Sequence, residues 1–331
     1  MKAGTTTAAR SFMTTSGIAG HRPGKVMALL AGLLLTSMMP PHASAQTVED
    51  WRLEFGTRYW YSTGTARKDL YGPYGAVRVS RLTYDDLDAH AGEGYFRMDY
   101  GDTGLFIKGY AGLGTIVGGA LRDEDFEPVV SPYSSTDSDQ DKGRLAYASI
   151  DLGYTVLETN PTDGPSLRLG GFVGYHYYHQ KLNAYGCQQT ATNDTICTPA
   201  LPASLKVITQ DNDWHSLRLG MTLDMQPMDR LRLTLDGAFT YSWLKGKDHH
   251  WLRPSINPVP EDGDGLGFQL EGVLAYQVAE GVELGIGGRY WQLGRFDTRA
   301  HFEETPGGGI TQQEKWKSTR YGVFLQASWR F

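Results

Sequence analysis

Two cysteines in 331 residues are too few for a disulfide scaffold, and no Cys/His set lies near them to complete a metal site. An excess of charge of one sign is missing as well. The 31 Lys and Arg against 37 Asp and Glu leave a net charge of -6, which gives nucleic acid no reason to bind. After the first 45 residues no stretch is long and apolar enough for a transmembrane helix. No serine sits in a nucleophile-elbow context, and no histidine spacing suggests zinc. Glycine and aromatics, by contrast, are plentiful: 41 Gly, 19 Tyr and 8 Trp. Transmembrane β-barrels share this profile, because only alternate residues meet lipid and aromatics collect at the two interfaces.

The N-terminus sets the compartment. "KVMALLAGLLLTSMM" from Lys25 has a basic flank and an apolar core of secretory length, and Ala43-Ser44-Ala45 supplies small residues before Gln46. Residues 1–45 are expected to be a signal peptide and 46–331 the mature chain; Met13 is a second candidate start.

Alternation points the mature chain to a barrel. In "RLRLTLDGAFTYSW", Leu231, Leu233, Leu235, Phe239, Tyr241 and Trp243 share one face, while Arg232, Thr234, Asp236, Thr240 and Ser242 share the other. A membrane barrel shows the apolar face to lipid and keeps the polar one inside. "WRLEFGTRYWY" from Trp51 and "SLRLGGFVGYHYYHQKL" from Ser166 repeat the pattern, and the chain ends in an amphipathic strand closing on Phe331. Short connections at Gly101, Thr159, Gln226 and Ala279 alternate with long ones near Ser62–Gly75, Gly119–Gly143, Gly186–Asp213, Gly246–Gly263 and Thr298–Lys317. The expectation is therefore all-β: a ten-stranded antiparallel transmembrane β-barrel with long extracellular loops and short periplasmic turns, in the outer membrane of a Gram-negative bacterium. "DDLDAHAG" interrupts the strand from Ala76 to Tyr100 and reads as a bulge. Arg289, Tyr290 and Trp291 read as interface girdle, His176 and Tyr178 as lumen filling beside Arg168, and the acidic run Ser135–Asp141 as a solvated loop, with weak calcium binding as its other reading.

Cys187 and Cys197 fall in the third long loop, and in an oxidising compartment they are expected to pair; a redox or metal pair is the rival reading. "GKDHHWLRP" follows the strand ending at Trp243, and continued alternation turns Asp248 and His250 into the barrel mouth. "ALRDEDFEP" places Asp123 and Asp125 two apart in another long loop. Such a set can hydrolyse amides with water. Asp248 holds the imidazole of His250, His250 acts as general base, and Asp123 with Asp125 positions the water. Solvated acidic tips and hydrogen-bonded barrel filling are the plainer readings of the same residues.

Asp123-Glu124-Asp125-Phe126 in the second long loop and Asp248-His249-His250-Trp251 in the fourth, within ten strands, resemble the omptins. These are outer-membrane aspartic-type endopeptidases of Gram-negative bacteria. "VSRLTYDD" at Val79 is similar to the strand after their first loop. The resemblance implies two halves of a site, Asp248 with His250 and Asp123 with Asp125, and a peptide or protein substrate at the cell surface. It implies no cofactor beyond lipopolysaccharide as an activating lipid, with Tyr175 matching part of the lipid patch. The chain departs from the family at Lys245–Lys247 and near Gly64, where acids that select basic substrates are expected, and at Tyr177 and His179 in the lipid patch. Two functions follow from the residues: an omptin-like endopeptidase, or a catalytically inactive barrel of the same shape acting as adhesin or structural surface protein. A general porin fits less well, since ten strands leave an interior that side chains fill.

Overall fold

The computed structural model describes residues 51–72, 75, 77–126, 131–159, 164–302 and 309–331. The expected signal segment, its cleavage point and Met13 lie outside the described residues.

Among the described residues thirteen antiparallel strands form one sheet: β1 (Trp51–Tyr71), β2 (Arg78–Asp85), β3 (Ala89–Tyr100), β4 (Leu105–Ile116), β5 (Ala120–Asp125), β6 (Ser134–Gln140), β7 (Gly143–Thr159), β8 (Ser166–Gln189), β9 (Leu201–Met228), β10 (Leu231–His250), β11 (Val259–Ala279), β12 (Val282–Phe302) and β13 (Ile310–Arg330). The sheet closes on itself, because β1 pairs with β13 from Glu54↔Arg330 to Leu70↔Glu314. Closure leaves no open edge and satisfies the backbone internally, as a lipid setting demands.

The strand count exceeds the expected ten because the expected strand from Ala76 to Tyr100 is broken once and two further strands, β5 and β6, form within the expected loop Gly119–Gly143. β2 and β3 both pair with β1 and are separated at Asp86–Asp88, so the expected bulge is a break. β4 and β5 part at Val117–Gly119, and β6 and β7 at Asp141–Lys142. The breaks lie side by side: Val117 N–H donates to Asp88 O at 2.8 Å, and Gln140 N–H donates to Gly119 O at 2.8 Å. Gly119 has a φ of +134°, and a Cβ there would lie 2.8 Å from Asp85 O, so a side chain would strain this junction. From inside, Arg320 ties the junction down, donating to Leu87 O at 3.1 Å and to Ser62 Oγ at 3.0 Å.

The strands also run further than alternation revealed. The expected long loops are mostly strand: β1 continues to Tyr71, β10 to His250, and β9 begins at Leu201. Away from lipid both faces of a strand can be polar, so the hydrophobic period fades while the backbone ladder continues. The run Ser135–Asp141 is a second correction, since all but its last residue belongs to β6, where Ser135, Thr136, Ser138 and Gln140 are buried. Asp137 there accepts from Arg122 at 2.9 Å, and among the described residues no acidic or histidine cluster could hold a metal ion.

Below the breaks the outer wall is apolar, with Leu113, Ile150, Leu219, Phe239, Ile286 and Leu325 exposed. Aromatics bound the belt, Trp51, Tyr100 and Trp329 at one end, Tyr59, Tyr241 and Trp243 at the other. The interior is packed rather than open. Arg289 is 3% exposed and bonds Glu93 at 2.6 Å and Glu271 at 2.7 Å. Its guanidinium lies 4.9 Å from the Trp60 ring and 5.2 Å from Trp291. Arg289 and Trp291 therefore point into the lumen, not into an interface girdle, because odd positions of β12 face inward here. His176 and Tyr178 are buried inside as well. Glycine on the inner wall makes room for rings: a Cβ at Gly153 would lie 2.1 Å from Phe106.

Candidate active site

The site is assembled above the breaks, from strands far apart in sequence. β10 ends in Asp248 and His250, held between Gln210 and Ile208 of β9 and Val259 of β11. Inward parity buries Asp248 to 3% exposure, and the turn beyond is fixed by Trp251, whose N–H donates to Val207 O at 3.0 Å and whose indole Nε1 donates to Thr209 Oγ1 at 3.0 Å. β5 carries Asp123 and Asp125 opposite Leu82 and Ser80 of β2. Both acids therefore lie on a strand, not on a solvated loop tip.

Asp123, Asp125 and His250 line one cleft of about 400 Å³. Its other walls are Ser134, Thr136, Val207, Ile208, Arg253 and the segment Thr195–Leu201. Cys187 and Cys197 are joined in a disulfide, Cα to Cα 5.6 Å, which pins that last segment over the cleft. Asp248 Oδ2 lies 3.0 Å from His250 Nε2. The same oxygen accepts from the ammonium of Lys68. Lys68 also donates to Glu261 Oε1 at 2.7 Å and to Gln210 Oε1 at 3.0 Å.

Charge and burial tune the pair in opposite directions. Burial penalises the Asp248 carboxylate, but the charges of His250 and Lys68 outweigh it and hold Asp248 well below the usual carboxylate range. Burial likewise penalises the His250 imidazolium, yet Asp248's charge and hydrogen bond prevail and lift its pKa above the ordinary value; Lys68 pulls the other way. Burial, and then the neighbouring charge of Asp125, push Asp123 up to about 6. Asp125 is raised by burial, against Arg253, a hydrogen bond from Ser80 and His250. Asp123 Oδ1 is sealed from solvent with no partner, an acceptor left open beside the cleft. The arrangement thus offers a base oriented by a carboxylate and, in the same cleft, two acids raised above their ordinary value, Asp123 to about 6.

Several residues of this cluster escaped the sequence reading. Lys68, Glu261, Gln210, Glu314 and Arg253 carry no motif. For the four on strands inward parity was the available signal, and only strand register shows that Lys68 faces Leu82 and through it the row holding Asp123. Tyr175 lies elsewhere, on the outer wall, 40% exposed, its hydroxyl 2.5 Å from His215 Nδ1. Beside it Tyr177 donates to Asp213 at 2.5 Å, and His179 Nδ1 lies 3.0 Å from Asp213.

The fold is similar to the outer membrane protease OmpT from Escherichia coli, with a TM-score of 0.61 at 14% identity over 88% of this chain and 99% of that one. At that identity the likeness shows the fold alone. The translocator domain of the autotransporter NalP from Neisseria meningitidis follows at a TM-score of 0.33 and 13% identity, over 88% of this chain and 90% of that one. A major outer membrane protein from Thermus thermophilus scores 0.30 at 12% identity, over 82% and 99%. Scores that low carry no structural argument. No curated protein matches the sequence. The model of the Protochlamydia outer membrane protein (Pom) family matches residues 63–330, the greater part of the barrel and every residue of the site. The protein is therefore an outer-membrane β-barrel, and the chain belongs to the Protochlamydia outer membrane protein family.

Proposed function

We propose that this barrel is an omptin-like endopeptidase of the cell surface, hydrolysing peptide bonds with a water activated between two acidic halves of one site. In this reading each broken pair of strands acts as a single stave, so that the barrel has ten. One observation carries it: Asp123 and Asp125 of β5 share a cleft with His250, which is paired to Asp248. His250, held by Asp248, takes the proton of a water as that water attacks the peptide carbonyl. Asp123 and Asp125 hold the water from the other side, and the proton is delivered to the departing amine. No covalent nucleophile is required.

Lipopolysaccharide is the activating lipid in this reading, with the exposed ring of Tyr175 as one contact on the outer wall. The test is digestion of a fluorogenic peptide library by the purified barrel in detergent, with and without lipopolysaccharide. Wild type is expected to cleave, while Asp248→Ala and His250→Ala lose at least about 100-fold. Cleavage surviving both substitutions would refute the site. Its absence from wild type across the library and both lipid conditions would favour a catalytically inactive adhesin or structural surface protein.

A further inference from the structure

We propose that Lys68 is a positioning residue for the Asp248–His250 pair, an inference that rests on the endopeptidase reading: by donating to the oxygen that His250 also uses, its ammonium fixes the carboxylate, weakens its hold on the imidazole proton, and sets the lower pH limit of the site.

The geometry is specific. Lys68 rises from the inner face of β1, two residues beyond buried Ala66, and its side chain is 4% exposed. An ammonium has three donors, and here they meet Asp248 Oδ2, Glu261 Oε1 and Gln210 Oε1, with Glu314 Oε1 at 4.0 Å. The partners come from β10, β11, β9 and β13, so the charge is held by four strands and cannot swing away. Asp248 Oδ1 is buried without a partner, so both donors crowd onto Oδ2. A carboxylate oxygen shared between an ammonium and an imidazole stabilises the imidazolium less than one given to the imidazole alone.

The charged and titratable groups packed around His250 bear on this. Asp248 stands beside it on β10, Asp123 and Asp125 face it from β5, and Arg253 follows in the turn after β10. Lys68 approaches from β1, with Glu261 of β11 and Glu314 of β13 behind it and the buried phenol of Tyr84 from β2 alongside. From β9 come the uncharged Gln210 and Thr209. Among these only Lys68 and Arg253 oppose protonation of His250, and of the two only Lys68 touches its partner Asp248.

The test uses the full barrel in lipopolysaccharide-containing detergent. Lys68→Met strands Glu261 without its counter-ion and can fail to fold, so Lys68→Met/Glu261→Gln is the working variant and Lys68→Arg the conservative control. Two readouts are taken: the acid limb of the pH profile of kcat/KM on a peptide the wild type cuts, and the imidazole titration of His250 by NMR, assigned by its loss in His250→Gln. In the double variant both midpoints are expected to move up by about one pH unit. Lys68→Arg is expected to restore both to near the wild-type position. A rate that falls equally at all pH values while the imidazole midpoint stays put would overturn the proposal and leave Lys68 a structural ion. A wild type without cleavage whose imidazole still moves in the variant would remove the endopeptidase reading but support the Lys68–His250 coupling.

Discussion

Asp123→Asn separates stability from activity. Asp123 titrates at about 6 in the folded barrel against an ordinary value of 3.8, because burial and then Asp125 disfavour its charge. A carboxyl that binds its proton more tightly when folded costs nothing below its unfolded value. Its cost grows as pH rises from about 3.8 to about 6 and is complete above that. The interval corresponds to about 3 kcal/mol. Asp123 is only half-buried, and solvent screening reduces the expected cost to about 1–2 kcal/mol. Asparagine keeps the shape and removes the charge. The variant should therefore be more stable than wild type by about 1–2 kcal/mol at pH 8 and equal to it near pH 3, while cleavage falls at least about 100-fold. Urea unfolding midpoints in detergent at the two pH values, set beside the peptide-library assay, measure both. A stability difference that does not change with pH would refute the burial argument. Full activity in the variant would remove Asp123 from the site.

Arg289→Met is expected to destabilise the barrel by about 3–5 kcal/mol, because it strips one counter-ion from Glu93 and Glu271 deep in the lumen. Heat-modified migration on a gel at stepped temperatures reads the loss, and an unchanged transition would show that Arg58, 2.9 Å from each acid, suffices alone. Cys187→Ser/Cys197→Ser frees the segment over the cleft while leaving the barrel wall intact. It should raise KM several-fold with kcat little changed, and an equal fall of kcat and kcat/KM would mean the segment orders the catalytic groups themselves.

The sequence determined a great deal by itself. Period-two alternation ending in aromatics on β1, β8, β10 and β13 fixed an all-β chain with a lipid-facing outer wall, since a soluble sheet has no use for charged inner positions such as Arg232 and Asp236. Parity alone turned Asp248 and His250 inward, and two cysteines ten positions apart in an exported chain were enough to suggest their pairing. Other features depended on neighbours. Arg289 and Trp291 looked like an interface girdle because aromatics beside a cation read alike on either face of a strand. Ser135–Asp141 looked like a solvated loop because a strand paired beyond the membrane keeps no hydrophobic period. Lys68 belonged to no motif, being one lysine among many. Its role depends on register, which sets β1 against β2 and β13 and curls the sheet until the ammonium meets carboxylates 180 and 193 residues away. Alternation is a local property that a strand displays in its own residues. Which inward side chains meet across a closed barrel is decided by stagger and closure, and those exist only in the folded sheet.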